Sequence, residues 1–143
     1  SMMMAVFAYI LRWDEGTVAG IGGAKEKKRY PLAGYLLYMR SHLSSVTLSS
    51  LAREFYVSEG YLSRYIRRET GVTFSHLLMD MRMKRAGELL ANTECSIEKI
   101  VSLVGYTDQS IFFRNFRTMY GMTPLAFRKK NGWDRYKHLE EQL

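Results

Sequence analysis

Cysteine is almost absent from this chain: Cys95 stands alone among 143 residues. One thiol excludes an internal disulfide framework and any zinc module built on several cysteines. Cys95 is expected to be a small side chain without special chemistry, in a reducing compartment. Histidine is nearly as scarce. His42, His76 and His138 lie far apart, without the spacing of metal ligands, so no metal and no cofactor is expected. Long apolar runs are missing too, since a bilayer span needs ~20 residues. The run "MMMAVFAYIL" is about half that length and lacks a cleavage-site pattern, so neither a membrane span nor a signal peptide is expected. A convergent set of acids, bases and nucleophiles is also absent, which argues against an enzyme.

What is present is a core and a charge. Hydrophobic residues make up 47% of the chain, enough for one domain, or one domain with an attached arm. The formal net charge of +7 calls for an anionic partner, whether nucleic acid, an acidic membrane or an acidic protein. Charge alone does not separate these.

Ser1, ahead of the first methionine, reads as a remnant of tag removal. Residues 2–13 form a short apolar segment, and "DEGTVAGIGGAKEKKR" after it has the glycines and charges of a linker. Residues 1–30 are therefore read as an arm and linker. They are either the end of another domain or an arm that packs on a partner.

From Pro31 the apolar residues recur at three- and four-residue spacing: Leu32, Leu36, Met39, Leu43. Thr47 caps a second helix with Leu48, Leu51, Ala52 and Phe55 inward, and Ser58 a third with Leu62 and Ile66 inward, ended by Gly71. Thr73 opens a long helix with Phe74, Leu77, Leu78, Met81, Leu89 and Leu90 on its buried side. Ser96 caps a fifth, carrying Ile97, Ile100, Val101 and Val104. Asp108 caps a sixth with Phe112 and Phe116 inward, stopped by Gly121. Thr123-Pro124 starts a seventh that runs to "RKKNG". No stretch alternates with period two for long enough to be a strand. The expected fold is all-α, with about seven helices.

The chain also repeats itself at about fifty residues. Leu62 matches Phe112, Arg64 matches Arg114, Ile66 matches Phe116, Arg67 matches Arg117, Gly71 matches Gly121 and Thr73 matches Thr123. Upstream, Leu48, Leu51 and Phe55 match Ile97, Ile100 and Val104. Each copy is a short helix, a tight turn and a second helix of about twelve residues, the helix-turn-helix arrangement. At roughly 100° per residue, Gly60, Arg64 and Arg67 fall opposite Leu62 and Ile66, while Ser110, Arg114 and Arg117 fall opposite Phe112 and Phe116. The outward face of such a second helix enters the DNA major groove. An arginine there makes two hydrogen bonds to guanine, worth about 1–3 kcal/mol of discrimination. The long helix, about 27 Å over Thr73 to Leu90, is of a length to join two recognition helices about 34 Å apart on one face of DNA.

Over about Tyr35 to Lys130 the chain resembles the AraC/XylS family of bacterial transcription regulators. "LAREFYVSEGYLSRYIRRETGVTF" resembles the family's first helix-turn-helix. "MRMKRAGELLANTECSIEKIVSLVGYTDQSIFFRNFRTMYGMTPLAFR" resembles its connector and signature second unit, closed by Gly121, Thr123, Pro124, Phe127 and Arg128. The resemblance implies a DNA-binding domain over 31–131, with helix-turn-helix units over about 47–71 and 96–121 and a tail over 132–143. It implies base contacts from Gly60, Tyr61, Ser63 and Arg64 in the first unit and from Gln109, Ser110, Phe113 and Arg114 in the second. Arg67, Arg117 and the caps Ser58 and Asp108 face phosphate in the same scheme. The implied partners are double-stranded DNA and, for an activator, RNA polymerase. A separate N-terminal domain would supply oligomerisation, and the location would be the bacterial cytoplasm and nucleoid.

Two positions depart from the family pattern. Tyr56 stands at a turn position where many members have glycine. Phe113 replaces the common serine or cysteine, either to touch a thymine methyl or to pack against the neighbouring helix. Glu59 opens the first recognition helix, either to accept from cytosine N4 or to favour the positive helix end, and the second is preferred because it needs no DNA. The DNA alkylation-repair protein that carries similar units needs several cysteines, which a lone Cys95 excludes. A membrane-surface helix would show one basic amphipathic stripe, whereas here the basic residues are spread over two matched helices. Non-specific nucleic-acid binding is the remaining alternative, marked by steep salt dependence and indifference to sequence. Tyr65, Phe74, Phe112, Phe116, Tyr120 and Phe127 are expected in the core, not as a base-stacking platform.

Overall fold

The computed structural model describes residues 31–133. The expected arm and linker over 1–30, and residues 134–143 of the expected tail, lie outside the described residues. Seven α-helices follow one another: α1 (Pro31–Ser41), α2 (Leu48–Glu54), α3 (Glu59–Thr70), α4 (Phe74–Asn92), α5 (Ile97–Leu103), α6 (Gln109–Tyr120) and α7 (Pro124–Arg128). No strand occurs among the described residues.

Local chemistry sets the helix ends. A helix leaves its first N–H groups without partners, and a hydroxyl or carboxylate at the cap accepts from one of them. Thr47 accepts from Ser50 N, Ser58 from Tyr61 N, Ser96 from Lys99 N, Asp108 from Ser110 N and Thr123 from Ala126 N. Ser50 Oγ also accepts from Thr47 N at 2.9 Å, completing a reciprocal box. The two recognition helices both end on a left-handed glycine, Gly71 at φ 80° and Gly121 at φ 71°.

Three expectations change. The final helix stops at Arg128 and gives way to a π-helical turn over Lys129–Trp133. The connector runs to Asn92, two residues beyond the expected end. On its buried side Phe74, Leu77, Leu78, Met81 and Leu90 are buried as expected, Leu89 is half-buried against the core, and Met83 and Ala86 are fully buried in addition. Met83, Ala86 and Leu90 make a stripe at i, i+3 and i+7, and they line a core with Ile100, Val104, Phe112 and Phe116.

The described chain divides into two units, one of residues 31–42 and 46–77, the other of residues 43–45 and 78–133. In the first, Tyr35 sits edge-on to Phe55 at 4.7 Å and to Tyr65 at 5.5 Å, and Leu51, Leu62 and Ile66 are fully buried. In the second, Phe112, Phe116, Tyr120 and Phe127 form a continuous ring cluster.

The turns of the two units differ. Gly105, in the second, has φ 102°, and a Cβ there would meet the Ser44 carbonyl oxygen at 2.7 Å. Tyr56 holds the matching position of the first unit at φ 57°, with its side chain almost wholly exposed. Left-handed backbone at a non-glycine residue costs roughly 1–2 kcal/mol, and open space around the side chain lets the tyrosine stay there.

Gly87 is required for another reason. A Cβ at this position would come 2.6 Å from the Tyr120 hydroxyl and 3.1 Å from its ring carbon. That hydroxyl donates to the Met83 carbonyl at 3.0 Å. Helix propensity alone favours alanine over glycine by about 1 kcal/mol. Overpacking costs about 1–3 kcal/mol, and the displaced hydroxyl forfeits a hydrogen bond worth about 1 kcal/mol. Gly87→Ala is therefore expected to destabilise by about 1–3 kcal/mol in chemical denaturation, opposite in sign to the propensity. A gain in stability would mean that Tyr120 swings aside freely.

Burial first, and the charge of Glu88 second, push the Tyr120 phenol from its ordinary 10.0 up to about 12. The folded form thus keeps its proton to higher pH than the unfolded chain does. The stabilisation is complete below pH 10 and is lost as pH rises from 10 to 12. Melting temperature should fall more steeply over this window in the wild type than in Tyr120→Phe.

Candidate nucleic-acid interface

Each recognition helix is held by its apolar side. In α3, Leu62 and Ile66 are fully buried, as are Phe112 and Phe116 in α6. Every residue expected to read DNA is exposed on one of these two helices, with Arg64, Arg67, Arg114 and Arg117 opposite the buried side chains. Gly60, Tyr61, Ser63, Arg64 and Arg67 are exposed on α3, with the cap Ser58, and Gln109, Ser110, Phe113, Arg114 and Arg117 on α6, with the cap Asp108. Arg64, Arg67, Arg114 and Arg117 form no ion pair among the described residues. Each unit thus presents two uncommitted guanidinium groups on an exposed face, at matching offsets.

The two faces are otherwise built differently. On α3 the Arg64 guanidinium lies back over Gly60, where a Cβ would stand 3.3 Å from Nη1. Position 110 of α6, which matches Gly60, is serine. Tyr61 stacks on Tyr65 at 6.2 Å and 25°, which steadies the ring while nearly half of the residue stays exposed. Phe113 is over a third exposed, with its ring edge-on to Phe112 at 5.8 Å. It is exposed at the surface and is not among the buried core residues. Glu59 occupies the first turn of α3, at the positive end of the helix.

Two supports escaped the sequence reading. Asn115 donates from Nδ2 to the Tyr106 hydroxyl at 3.2 Å, and Tyr106 lies edge-on to Phe112 at 5.8 Å, so the turn ahead of α6 is tied to its flank. Arg68 is exposed beside Arg67, yet its guanidinium pairs with Glu69 at 3.3 Å and lies 5.4 Å from the Tyr65 ring centroid. The consecutive arginines were a visible signal, but which of them stays uncommitted depended on the neighbours. Among the described residues, no helix is long and apolar enough to cross a membrane.

The sequence profile of a helix-turn-helix domain family matches residues 51–130. The chain is 32% identical over 87 residues to the Msm operon regulatory protein of Streptococcus mutans, a match covering 61% of this chain and 31% of that protein. It is 36% identical over 80 residues to the transcriptional activator FapR of Escherichia coli, covering 56% and 30%. The chain therefore spans less than a third of the length of these relatives. Among solved structures, the C-terminal domain of the response regulator AraT from Geobacillus stearothermophilus is 41% identical, with a TM-score of 0.62, covering 66% of this chain and 79% of that one. The DNA-binding domain of the transcriptional factor AdpA, solved with a target DNA, is 26% identical, with a TM-score of 0.65, covering 70% and 91%. On the family match, the shared fold and the paired recognition helices, this chain belongs to the AraC-type helix-turn-helix family of transcription regulators and carries its DNA-binding domain.

Proposed function

We propose that this chain reads double-stranded DNA by sequence, with α3 and α6 each inserted in a major groove and the two grooves adjacent, within a transcription regulator. The observation that carries this reading is the pair of exposed, uncommitted arginines repeated at matching offsets on both helices. The AdpA domain, solved in complex with a target DNA, supports DNA binding by this fold.

Gly60, Tyr61, Ser63 and Arg64 face bases in the first groove, and Gln109, Ser110, Phe113 and Arg114 in the second. Arg67 and Arg117 neutralise phosphates. Ser58 and Asp108 act at the helix starts, where free backbone N–H groups can donate to a phosphate. An ionised carboxylate only accepts, so Asp108 contributes through helix geometry, not by direct contact. The domain occupies 31–131, with units over 47–71 and 96–121, and residues 1–30 are an arm and linker. The location is the bacterial cytoplasm and nucleoid, and RNA polymerase is the further partner if the regulator activates.

Selection from a random DNA pool at near-physiological salt tests this. Wild-type protein should enrich two short motifs about one helical turn apart. Arg64→Ala should blur one motif and Arg114→Ala the other, each costing about 1–3 kcal/mol at its own base. Arg67→Ala and Arg117→Ala should weaken all sequences alike and lower the salt slope by about one. Binding that vanishes with salt and enriches no motif would mean backbone gripping alone.

A further inference from the structure

The reading faces differ in chemistry, and the difference assigns each a base preference. On α3 the exposed readers Tyr61, Ser63 and Arg64 all carry hydrogen-bonding groups. On α6, Phe113 is more than a third exposed and has none. Its ring is not loose: its edge contact is with Phe112, which is fully buried. The apolar surface is thus presented in a fixed place. The major groove offers few apolar features, and the principal one is the C5 methyl of thymine.

Gln109 lies four residues before Phe113, one turn away on the same face. A side-chain amide offers the donor and acceptor that match adenine N7 and N6. One helical turn is ~5.4 Å and a base step ~3.4 Å, so the pair covers one to two base steps. Resting on the DNA-reading function proposed above, we infer that α6 reads an adenine–thymine step, with Gln109 on adenine and Phe113 on the thymine methyl. Arg64 on α3 reads guanine in the first half-site, and Arg114 reads its own guanine beside the step read by Gln109 and Phe113. A cytosine methylated at C5 presents the same methyl in the groove, so the second half-site accepts 5-methylcytosine in place of thymine.

The test uses the full chain and its selected DNA site. Within the half-site blurred by Arg114→Ala, each pyrimidine is replaced in turn by thymine, uracil, cytosine or 5-methylcytosine, and affinity is measured. At one position thymine should bind about fourfold more tightly than uracil, and 5-methylcytosine about fourfold more tightly than cytosine. That is the ratio expected for burying one methyl-sized apolar group. Phe113→Ala and Phe113→Ser should erase both ratios while retaining the Arg114-dependent preference of the same half-site, which also establishes that the second unit folds. Gln109→Ala should relax adenine preference nearby and leave the methyl ratios intact. Ratios near one at every pyrimidine, or ratios unchanged in both Phe113 variants, overturn the inference while the enriched motif stands. Enrichment of no motif at all overturns the DNA-reading function beneath it.

Discussion

Replacing Phe116 by alanine is expected to destabilise the second unit by about 3–5 kcal/mol, the range for a fully buried phenylalanine. The ring has no exposed surface and lies 5.9 Å from Phe112, 4.5 Å from Tyr120 and 5.5 Å from Phe127, centroid to centroid. The cost depends on whether the neighbours can close over the space. Tyr120 is tied by its hydroxyl to the Met83 carbonyl, and moving inward would break that bond. The cavity therefore stays largely open, which places the loss toward the upper end. A loss of this size is a large part of the ~5–15 kcal/mol that stabilises a typical domain. Urea denaturation followed by circular dichroism would measure it. The adjacent exposed ring is the control, because Phe113→Ala leaves no comparable cavity and should cost about 1 kcal/mol or less. If Phe116→Ala cost no more than Phe113→Ala, the ring cluster would not be the core of this unit.

Arg128→Ala is expected to cost about 2–3 kcal/mol through the far end of α4. A helix leaves its last carbonyls without partners, and they carry the negative end of its dipole. Arg128 donates from Nε to the Leu90 carbonyl at 3.1 Å and from Nη2 to the Thr93 carbonyl at 3.2 Å. Hydrogen bonds to a charged group are each worth about 1.5–3 kcal/mol. Water can reach part of this half-buried site, so the pair is worth less than their sum. Lysine keeps the charge but lacks the planar fork, so Arg128→Lys should recover less than half of the loss. Because Arg128 lies outside the reading faces of α3 and α6, its variants should lower the melting temperature without changing which DNA sequence is preferred. A changed preference with unchanged melting would place Arg128 on the DNA instead of on the connector.

The family motif marked Arg128 as a position, but its partners are 35 and 38 residues away, beyond the reach of any local pattern. Gly87 is similar. Within a helical pattern it reads as a propensity defect, and only the Tyr120 hydroxyl above it explains why no side chain fits. The connector's buried side was read only in part, without Met83 and Ala86, because Met79, Met81, Met83, Ala86, Leu89 and Leu90 put apolar residues around most of the helix. Periodicity then has no single face to point to, and the surrounding packing buried Met83 and Ala86 more fully than Leu89. Phe113 stood between core and groove in the sequence, because a phenylalanine fits either setting by chemistry.

The features that the sequence determined by itself are those set within one or two helical turns. Five caps bond as their side chains require, two glycines end the recognition helices, and Arg64, Arg67, Arg114 and Arg117 fall opposite the buried side chains of their own helices. Each follows from hydrogen-bonding capacity, backbone sterics or the 100° step of a helix, and each was legible before any coordinates. The tertiary structure decided which apolar residue of the connector is buried, why Gly87 has no side chain, what Arg128 holds, and that Phe113 stands exposed beside Gln109. Those outcomes depend on volume and on partners brought together from distant parts of the chain, and these exist only once the helices have packed.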